Sequence, residues 1–550
     1  MDATEKEVVD QHEETKPKKR GRKPNSTKTT GQKKESQNST ELEKSSEKKE
    51  IDISPYVSNV DGNIYAITGL PEEFIATLFA WVSRSPKSFK EHLRQALADE
   101  DLSIVGAVKE FPKLGEKAKK FHEKWTVGYG HSSVAENAVA HVGIEKISRL
   151  ASSELELSNT FLSITEYSQR YQKPKRGEWY NPIVHLKGKK GTVLADKIEE
   201  FFNKAFDNFE LLIEGVYTHL KKQFISSDEY KKLEMKGDTK TINNKLASLE
   251  KLAFEDARYV LPLAMYTQLG MTANGRAWRD SLAKLGVSDY PEVREMAEQI
   301  RTEISKVLPV LLRHAEPSDY QRYAAKKAKS LFRSAFPIEE KQPKVRIINI
   351  DSEEEALNKI YALWRLKYGN ESYRQAYQAA IKTQKEEKEN IVRELLHNMK
   401  HFDTPPEEFH QVKYTVEFLI SEANWHQLLR HNRKTYFTWN RPTPYFDITI
   451  PPRIREAGLS HLVEEIAVLS QEVYEAILDS DYPELADYVV INAYHRRVVA
   501  NFDLWEAYHL INLRTSSEAQ WDIRQTFEQL YQQLLQLHPV LISQAQRRKI

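Results

Sequence analysis

The chain runs twice through one order of events, and that repeat limits the folds open to it more than any other feature. In the first half, "AVAHVGIEKISRLASSELELSNTFLSITEYSQRY" gives a short alternating run, a helix and a polar loop of hydroxyl, aromatic and basic groups. In the second half, "VKYTVEFLISEANWHQLLRHNRKTYFTWNRP" repeats that order. Each half then ends in what reads as long helices, "ARYVLPLAMYTQLGMTANGRAWRDSLAKL" and "DYVVINAYHRRVVANFDLWEAYHLINLRTSSEAQWDIRQTF". Such self-similarity marks a tandem duplication whose copies have diverged. The segment "IEEKQPKVRIINIDSEEEALNKIYALWRL" reads as the joint: a proline-bearing polar stretch, a β-rich run "KVRIINI", then a helix. The boundary falls near Gln342, giving domains at 51–341 and 342–550, each α+β with helix dominating.

Residues 1–50 carry almost no large apolar side chains and read as a disordered tail. Within them "RGRKP" resembles an AT-hook, whose Arg-Gly-Arg core lies in the narrow minor groove of A·T-rich DNA. A weak DNA contact by the tail stands beside the plainer reading of a solvated solubility tail. At 550 residues two or three domains are expected, and 40% hydrophobic residues suffice for substantial cores. A net charge of +1 argues against a surface that coats nucleic acid or acidic membranes. With no bilayer-length apolar run and no signal-peptide pattern, a cytoplasmic protein without membrane partners is expected.

There is no cysteine, so disulfides, thiolate metal sites and thiol nucleophiles are excluded. The histidines lack ligand spacing beside a carboxylate, so no metal site is expected. "GKKGT" does not stand between a β-run and a helix, so no phosphate-binding P-loop is expected either.

Two segments carry chemistry. "FLSITEYSQRYQK" interleaves Ser163, Thr165 and Ser168 with Glu166 and Arg170, a composition suited to an anion or to an ordinary polar loop. "NWHQLLRHNRK" sets Glu422, Asn424, Gln427 and Arg430 on one helical face and Trp425, Leu428 and Leu429 on the other. It ends in Arg430, His431, Arg433 and Lys434, more positive charge than the helix dipole needs and suited to a phosphate or pyrophosphate. "YHRRVV", Tyr494 to Val499, reads as a solvated helical face.

"GHSSVAEN", "SITEYSQRY" and "ARYVLPLAMYTQLGMTANGRA" together resemble the flavin-dependent thymidylate synthase family, ThyX, and "QLLRHN" and "NLRTSSEAQWDIR" repeat the resemblance in the second half. The two copies are complementary in their losses. The family signature runs from Arg-His-Arg to Ser-x-Arg-Tyr. The first copy has Ser158, Asn159 and Thr160 at its start but keeps Glu166, Ser168, Arg170 and Tyr171 at its end. The second keeps Arg430 and His431, with Asn432 third and Arg433 beside it, but ends in "TWNRP". Downstream, the first copy has Arg258, Asn274 and Arg276 but Leu285 where the family carries an arginine. The second has that arginine, Arg514, but Asp487, Asp503 and Trp505 at the other three places.

The resemblance implies a sheet flanked by long helices in each copy and one site assembled from both. It implies dUMP held by Glu166, Ser168, Arg170, Arg258, Gln427 and Arg430, with Arg514 against the uracil as the catalytic group. It implies FAD contacts from His431, Arg433, Asn274, Arg276, His131 and Ser133, with NADPH and 5,10-methylenetetrahydrofolate as co-substrates. It also implies self-association of two fused chains as a pseudo-tetramer. Methylation at C5 of uracil by way of a cysteine thiolate is closed to this chain, whereas a flavin route needs no protein nucleophile. Two rivals stay open: a non-catalytic nucleotide- or flavin-binding scaffold, and a flavoenzyme acting on another nucleotide.

Overall fold

The computed structural model describes residues 51–82, 86–98, 135–170, 172–182, 188–312, 315–332 and 342–548. The tail with its AT-hook-like stretch, His131, Ser133 and Tyr171 lie outside them, as does 333–341, which ends at the expected domain boundary. Residues 51–550 form one compact unit.

The repeated order of events folds as a repeated motif. In the first copy, β1 (Val139–Ser148) runs into α1 (Arg149–Glu156), followed by β2 (Ser163–Glu166), β3 (Tyr266–Asn274) and α2 (Gly275–Leu285). In the second, β4 (Val345–Ile350) precedes β5 (Lys413–Ser421), α3 (Glu422–Leu428), β6 (Tyr436–Trp439), β7 (His495–Asp503) and α4 (Leu504–Arg514). The sheets are antiparallel, in orders β1-β3-β2 and β4-β5-β7-β6, so the second is the first with an added edge strand.

The same capping device ends all four of these strand-to-helix runs. Ser148, Asn274, Ser421 and Asp503 each sit in extended backbone and accept a hydrogen bond from the backbone N–H three residues on. A short polar side chain satisfies an orphan N–H of the first turn, so the strand can turn directly into a helix. That device corrects the two long helices expected from the sequence. Tyr266–Asn274 and His495–Asp503 are strands with side chains alternating across the sheet, and helix begins only after the cap. Tyr494–Val499 is likewise no solvated helical face: Arg496 is buried on β7 and its Nε donates to Glu422 Oε1 at 2.8 Å. In β1, Lys146 at φ 55° marks the bulge where the register with β3 shifts.

Helices fill the rest. α5 (Gly188–Ile225) and α6 (Thr239–Ala257) pack together, and α7 (Ser460–Leu478) of the second copy lies on α5. Phe202, Phe206 and Phe209 therefore share one buried core with Val463, Ile466 and Val473, while Leu157 of the first copy is buried in the core of the second. The copies meet about a pseudo-two-fold axis. Leu263 N donates to Val490 O at 2.9 Å and Asn492 N to Leu261 O at 3.0 Å. Ala264 N donates to Tyr488 O at 3.0 Å and Ala493 N to Tyr259 O at 2.9 Å. These reciprocal bonds are an isologous interface, of the kind two subunits make, inside one chain. Among the described residues no helix is long and apolar enough to cross a membrane.

Candidate functional site

The loop after α1 meets the end of α3 at this interface. Arg430, in the single 3-10 turn after α3, donates from Nη2 to Glu166 Oε2 at the end of β2. Arg149 Nη1 lies 3.6 Å from the same oxygen, and Glu166 Oε1 accepts from Ser152 at 2.7 Å and Thr267 at 3.0 Å. Arg170 Nε donates to Glu255 Oε1 at 2.7 Å, and its Nη2 reaches the Glu518 carbonyl at 3.3 Å. Ser168 Oγ accepts from the Arg170 backbone N–H. Arg258 is buried, its Nε donating to the Glu255 carbonyl at 3.1 Å. Arg514, at the end of α4, donates from Nε to His431 Nε2 and from Nη2 to the Gln427 carbonyl, both at 2.8 Å. The substrate residues expected from both halves thus converge within one chain.

Five guanidiniums, Arg149, Arg170, Arg258, Arg430 and Arg514, surround three carboxylates, Glu156, Glu166 and Glu255, an excess of two positive charges. Burial pushes Arg149 and Arg258 below the usual guanidinium range. Burial, together with the charges of Arg430 and Arg170, lowers Arg514 to about 10. Burial and the neighbouring Glu166 carboxylate raise Glu156 to about 7. Arg149 Nε and Arg258 Nη2 are buried donors with no partner, and both amide atoms of Gln169, which is 2% exposed, are unpartnered as well. Buried donors beside surplus positive charge call for an anionic acceptor.

Gln427 is oriented by a relay. Tyr259 OH donates to Asp522 Oδ2 at 3.0 Å, so it accepts from Gln520 Nε2 at 3.2 Å. Gln520 Oε1 then accepts from Asp522 N at 3.0 Å and from Gln427 Nε2 at 3.4 Å. That polarity leaves Gln427 Oε1 as a buried acceptor without a donor. α3 has no solvent face: all seven of its residues are buried, because it lies at the junction of the two copies. The sequence pattern had divided it into a polar and an apolar face.

The residues expected to contact FAD divide into two places. His431 meets Arg514, and Arg433 Nη2 donates to Ser163 Oγ at 2.6 Å. Asn274 and Arg276 line an open cavity of about 540 Å³ with Asn159, Thr160 and the 73% exposed Phe161. Arg276 Nη1 donates to Glu136 at 2.5 Å, and Asn274 Oδ1 caps α2. The two places share the 159–163 loop, whose Asn159 carbonyl accepts from Asn432 Nδ2 at 3.4 Å. An aromatic face, side-chain amides and a cation are donor types that suit a dinucleotide cofactor.

His431, Glu506 and His509 place one possible ligand atom each within 4.8 Å of one another. This departs from the sequence expectation of no metal constellation, because His431 is far along the chain from the Glu506 and His509 pair on α4. Arg514 already uses the His431 Nε2 lone pair, so a cation there would require Arg514 to withdraw. Burial, then Arg514, holds His431 well below the ordinary histidine pKa, whereas burial and Asp503 raise Glu506 to about 8.

Comparison with known proteins gives this arrangement its context. The family model "Thymidylate synthase complementing protein" matches residues 68–310 and again 349–540. The chain belongs to that family. Its Thy1-type regions occur in tandem. A UPF0159 protein of Chlamydia pneumoniae is 24% identical over 516 residues, covering 89% of this chain and 92% of its own. A UPF0159 protein of Thermoplasma acidophilum is 25% identical, covering 79% and 89%. A flavin-dependent thymidylate synthase of Saccharolobus solfataricus is 28% identical over 191 residues, 34% of this chain and 58% of its own. A solved structure of flavin dependent thymidylate synthase ThyX from Helicobacter pylori, complexed with FAD and dUMP, is 15% identical and covers 37% of this chain and 100% of that one, at a TM-score of 0.27.

Within this Thy1 chain, sequence reasoning missed Arg149, Glu156, Glu255 and the Tyr259–Gln520–Asp522 relay. Arg149 and Glu156 flank "LASSEL" on α1 and read there as ordinary helix-end charges. Only the fold turns them inward.

Proposed function

We propose that the chain is a flavin-dependent thymidylate synthase whose single substrate site is built from both copies. The observation that carries this reading is the cluster of five guanidiniums, in which Arg149 and Arg258 are buried with orphan donors. A phosphate monoester dianion matches the excess of two positive charges, and guanidinium forks suit its oxygens. In this reading dUMP places its phosphate among Arg170, Arg258 and Arg430, beside Ser168. Gln427 Oε1 accepts from a nucleoside N–H or O–H.

Arg514 lies against the uracil as the catalytic group. Its donors, fixed by His431 and the Gln427 carbonyl, stabilise negative charge that develops on the ring without reorganising. His431, Arg433, Asn274 and Arg276 are the residues that would hold FAD, which when bound supplies the reducing equivalents. NADPH is the reductant, and 5,10-methylenetetrahydrofolate donates the carbon. Two fused chains would pair as a pseudo-tetramer.

The test is anaerobic dTMP formation by the wild type and by Arg170→Ala and Arg514→Ala variants. Each single change should abolish turnover. Activity that survives both would overturn the assignment. One observation supports a second reading, a nucleotide-binding scaffold: Arg276 and His431 are already satisfied inside the chain by Glu136 and Arg514. A purified protein that binds dUMP but no flavin would select it.

A further inference from the structure

The pseudo-two-fold axis that builds the guanidinium site must also generate a rotation-related counterpart, where the loop after α3 meets the end of α1. The strand registers and the four caps fix which residues correspond. β2 pairs Glu166 with Leu269, and β6 pairs Trp439 with Val498; Leu269 and Val498 stand equally far before the caps Asn274 and Asp503. Trp439 therefore occupies the place of Glu166, and Arg441 that of Ser168. Counted from the caps Ser148 and Ser421, Glu154 and Leu157 stand where Gln427 and Arg430 stand. Asp487, next to Tyr488, takes the place of Arg258, next to Tyr259.

At this second place the protein supplies its own anion. The buried Asp487 carboxylate accepts from Arg441 Nε at 2.9 Å and from the Tyr290 hydroxyl through the same oxygen, and Asp289 lies 3.8 Å from Arg441. Arg441 also sits over the Tyr290 ring, 5.5 Å from its centroid. Leu157 is buried in the second core, with Trp439 packed against it. Lys284 Nζ caps the carbonyl of Leu157 at 2.7 Å, and Leu285 is buried where Arg514 stands in the other site.

We infer that the reciprocal site is closed by design of the duplication: Asp487 takes the role of a ligand phosphate towards Arg441, and the pair clamps the two copies, so that each chain binds one nucleoside monophosphate and not two. This rests on the proposed dUMP site for its stoichiometry, but the clamp is independent of it. A carboxylate buried beside a guanidinium and a phenol satisfies the charge that would otherwise attract a phosphate. The ion pair joins Arg441 and Asp487 of the second copy, and Tyr290 of the first copy completes it across the interface.

Two measurements on the full chain decide it. Calorimetric titration with dUMP should give one equivalent per chain, and the Arg441→Ala variant should keep that stoichiometry with affinity within about twofold. Two equivalents, or loss of binding in Arg441→Ala, would overturn the inference. A double-mutant cycle on thermal unfolding, with Asp487→Asn, Tyr290→Phe and the double variant, should show coupling across the interface: each single change lowers Tm by about 1–3 °C and the double by clearly less than their sum. Additive effects would refute the clamp. If the wild type binds no dUMP at all, the proposed function fails, and the cycle alone still decides whether Asp487 clamps the closed site.

Discussion

Arg514 donates from Nε to His431 Nε2 at 2.8 Å, across 83 positions of sequence. The bond fixes the imidazole as neutral with its proton on Nδ1, because an acceptor nitrogen cannot also carry one. Burial and the Arg514 charge hold His431 well below 6.5, so the folded state keeps it neutral where the unfolded chain would protonate it. The stabilising contribution is then complete above about pH 6.5 and is lost as pH falls below that value. A His431→Gln variant should therefore lose less stability between pH 7.5 and 5.5 than the wild type, measured by thermal unfolding. Equal pH slopes would contradict the neutral assignment.

Replacing Arg514 by lysine tests the fork itself. A single ammonium cannot reach both His431 Nε2 and the Gln427 carbonyl in the geometry of a guanidinium. Arg514→Lys should lower kcat/KM for dTMP formation by about a hundredfold or more while dUMP affinity falls much less. Equal losses in both would assign Arg514 to binding alone.

All seven residues assigned to dUMP belong to one chain and meet inside it. Mixing Arg170→Ala protein with Arg430→Ala protein should therefore restore no activity after co-refolding, since every site carries one of the two lesions. In a homo-oligomer that shares its sites between identical subunits, the same experiment restores a fraction of intact sites. Recovered turnover would show that Arg170 and Arg430 of different chains complement each other.

Glu506 is buried beside Asp503, and its pKa is raised to about 8. The folded state holds a proton that the unfolded chain releases near pH 4.5, so this group costs stability progressively from about pH 4.5 up to pH 8. Glu506→Gln removes the ionisation while keeping the shape. Its stability should match the wild type near pH 4.5 and exceed it at pH 8, by an amount on the order of 4 kcal/mol. Urea unfolding at the two pH values reads the difference directly.

Gly286 follows α2, and a Cβ there would stand 2.6 Å from Cγ of Pro317 and 3.3 Å from the Leu282 carbonyl. A proline ring cannot swing aside, so Gly286→Ala should cost about 1–3 kcal/mol. Gly143, in β1, has nothing within 4 Å of the same position, and Gly143→Ala should be neutral within about 0.5 kcal/mol by denaturant unfolding.

What the sequence determined by itself was the duplication, the local elements and the chemical inventory. Those are read from periodicity, caps and residue types, which act over a few positions. "KVRIINI" forms β4 and the helix after it follows as expected, because alternation and a serine cap are local signals. The sequence also named Arg170, Arg430 and Arg514 through motif order. It erred where a strand runs directly into a helix, as at Asn274 and Asp503, because the apolar spacing there suits both periods and only the sheet partner chooses between them. Tertiary structure alone decided that Arg149 and Arg258 are buried with unpartnered donors, that Gln520 orients Gln427, and that Asp487 fills the reciprocal site. Each of those facts depends on segments distant in the sequence being brought together by the fold, and charge has no fixed meaning until packing removes the water around it.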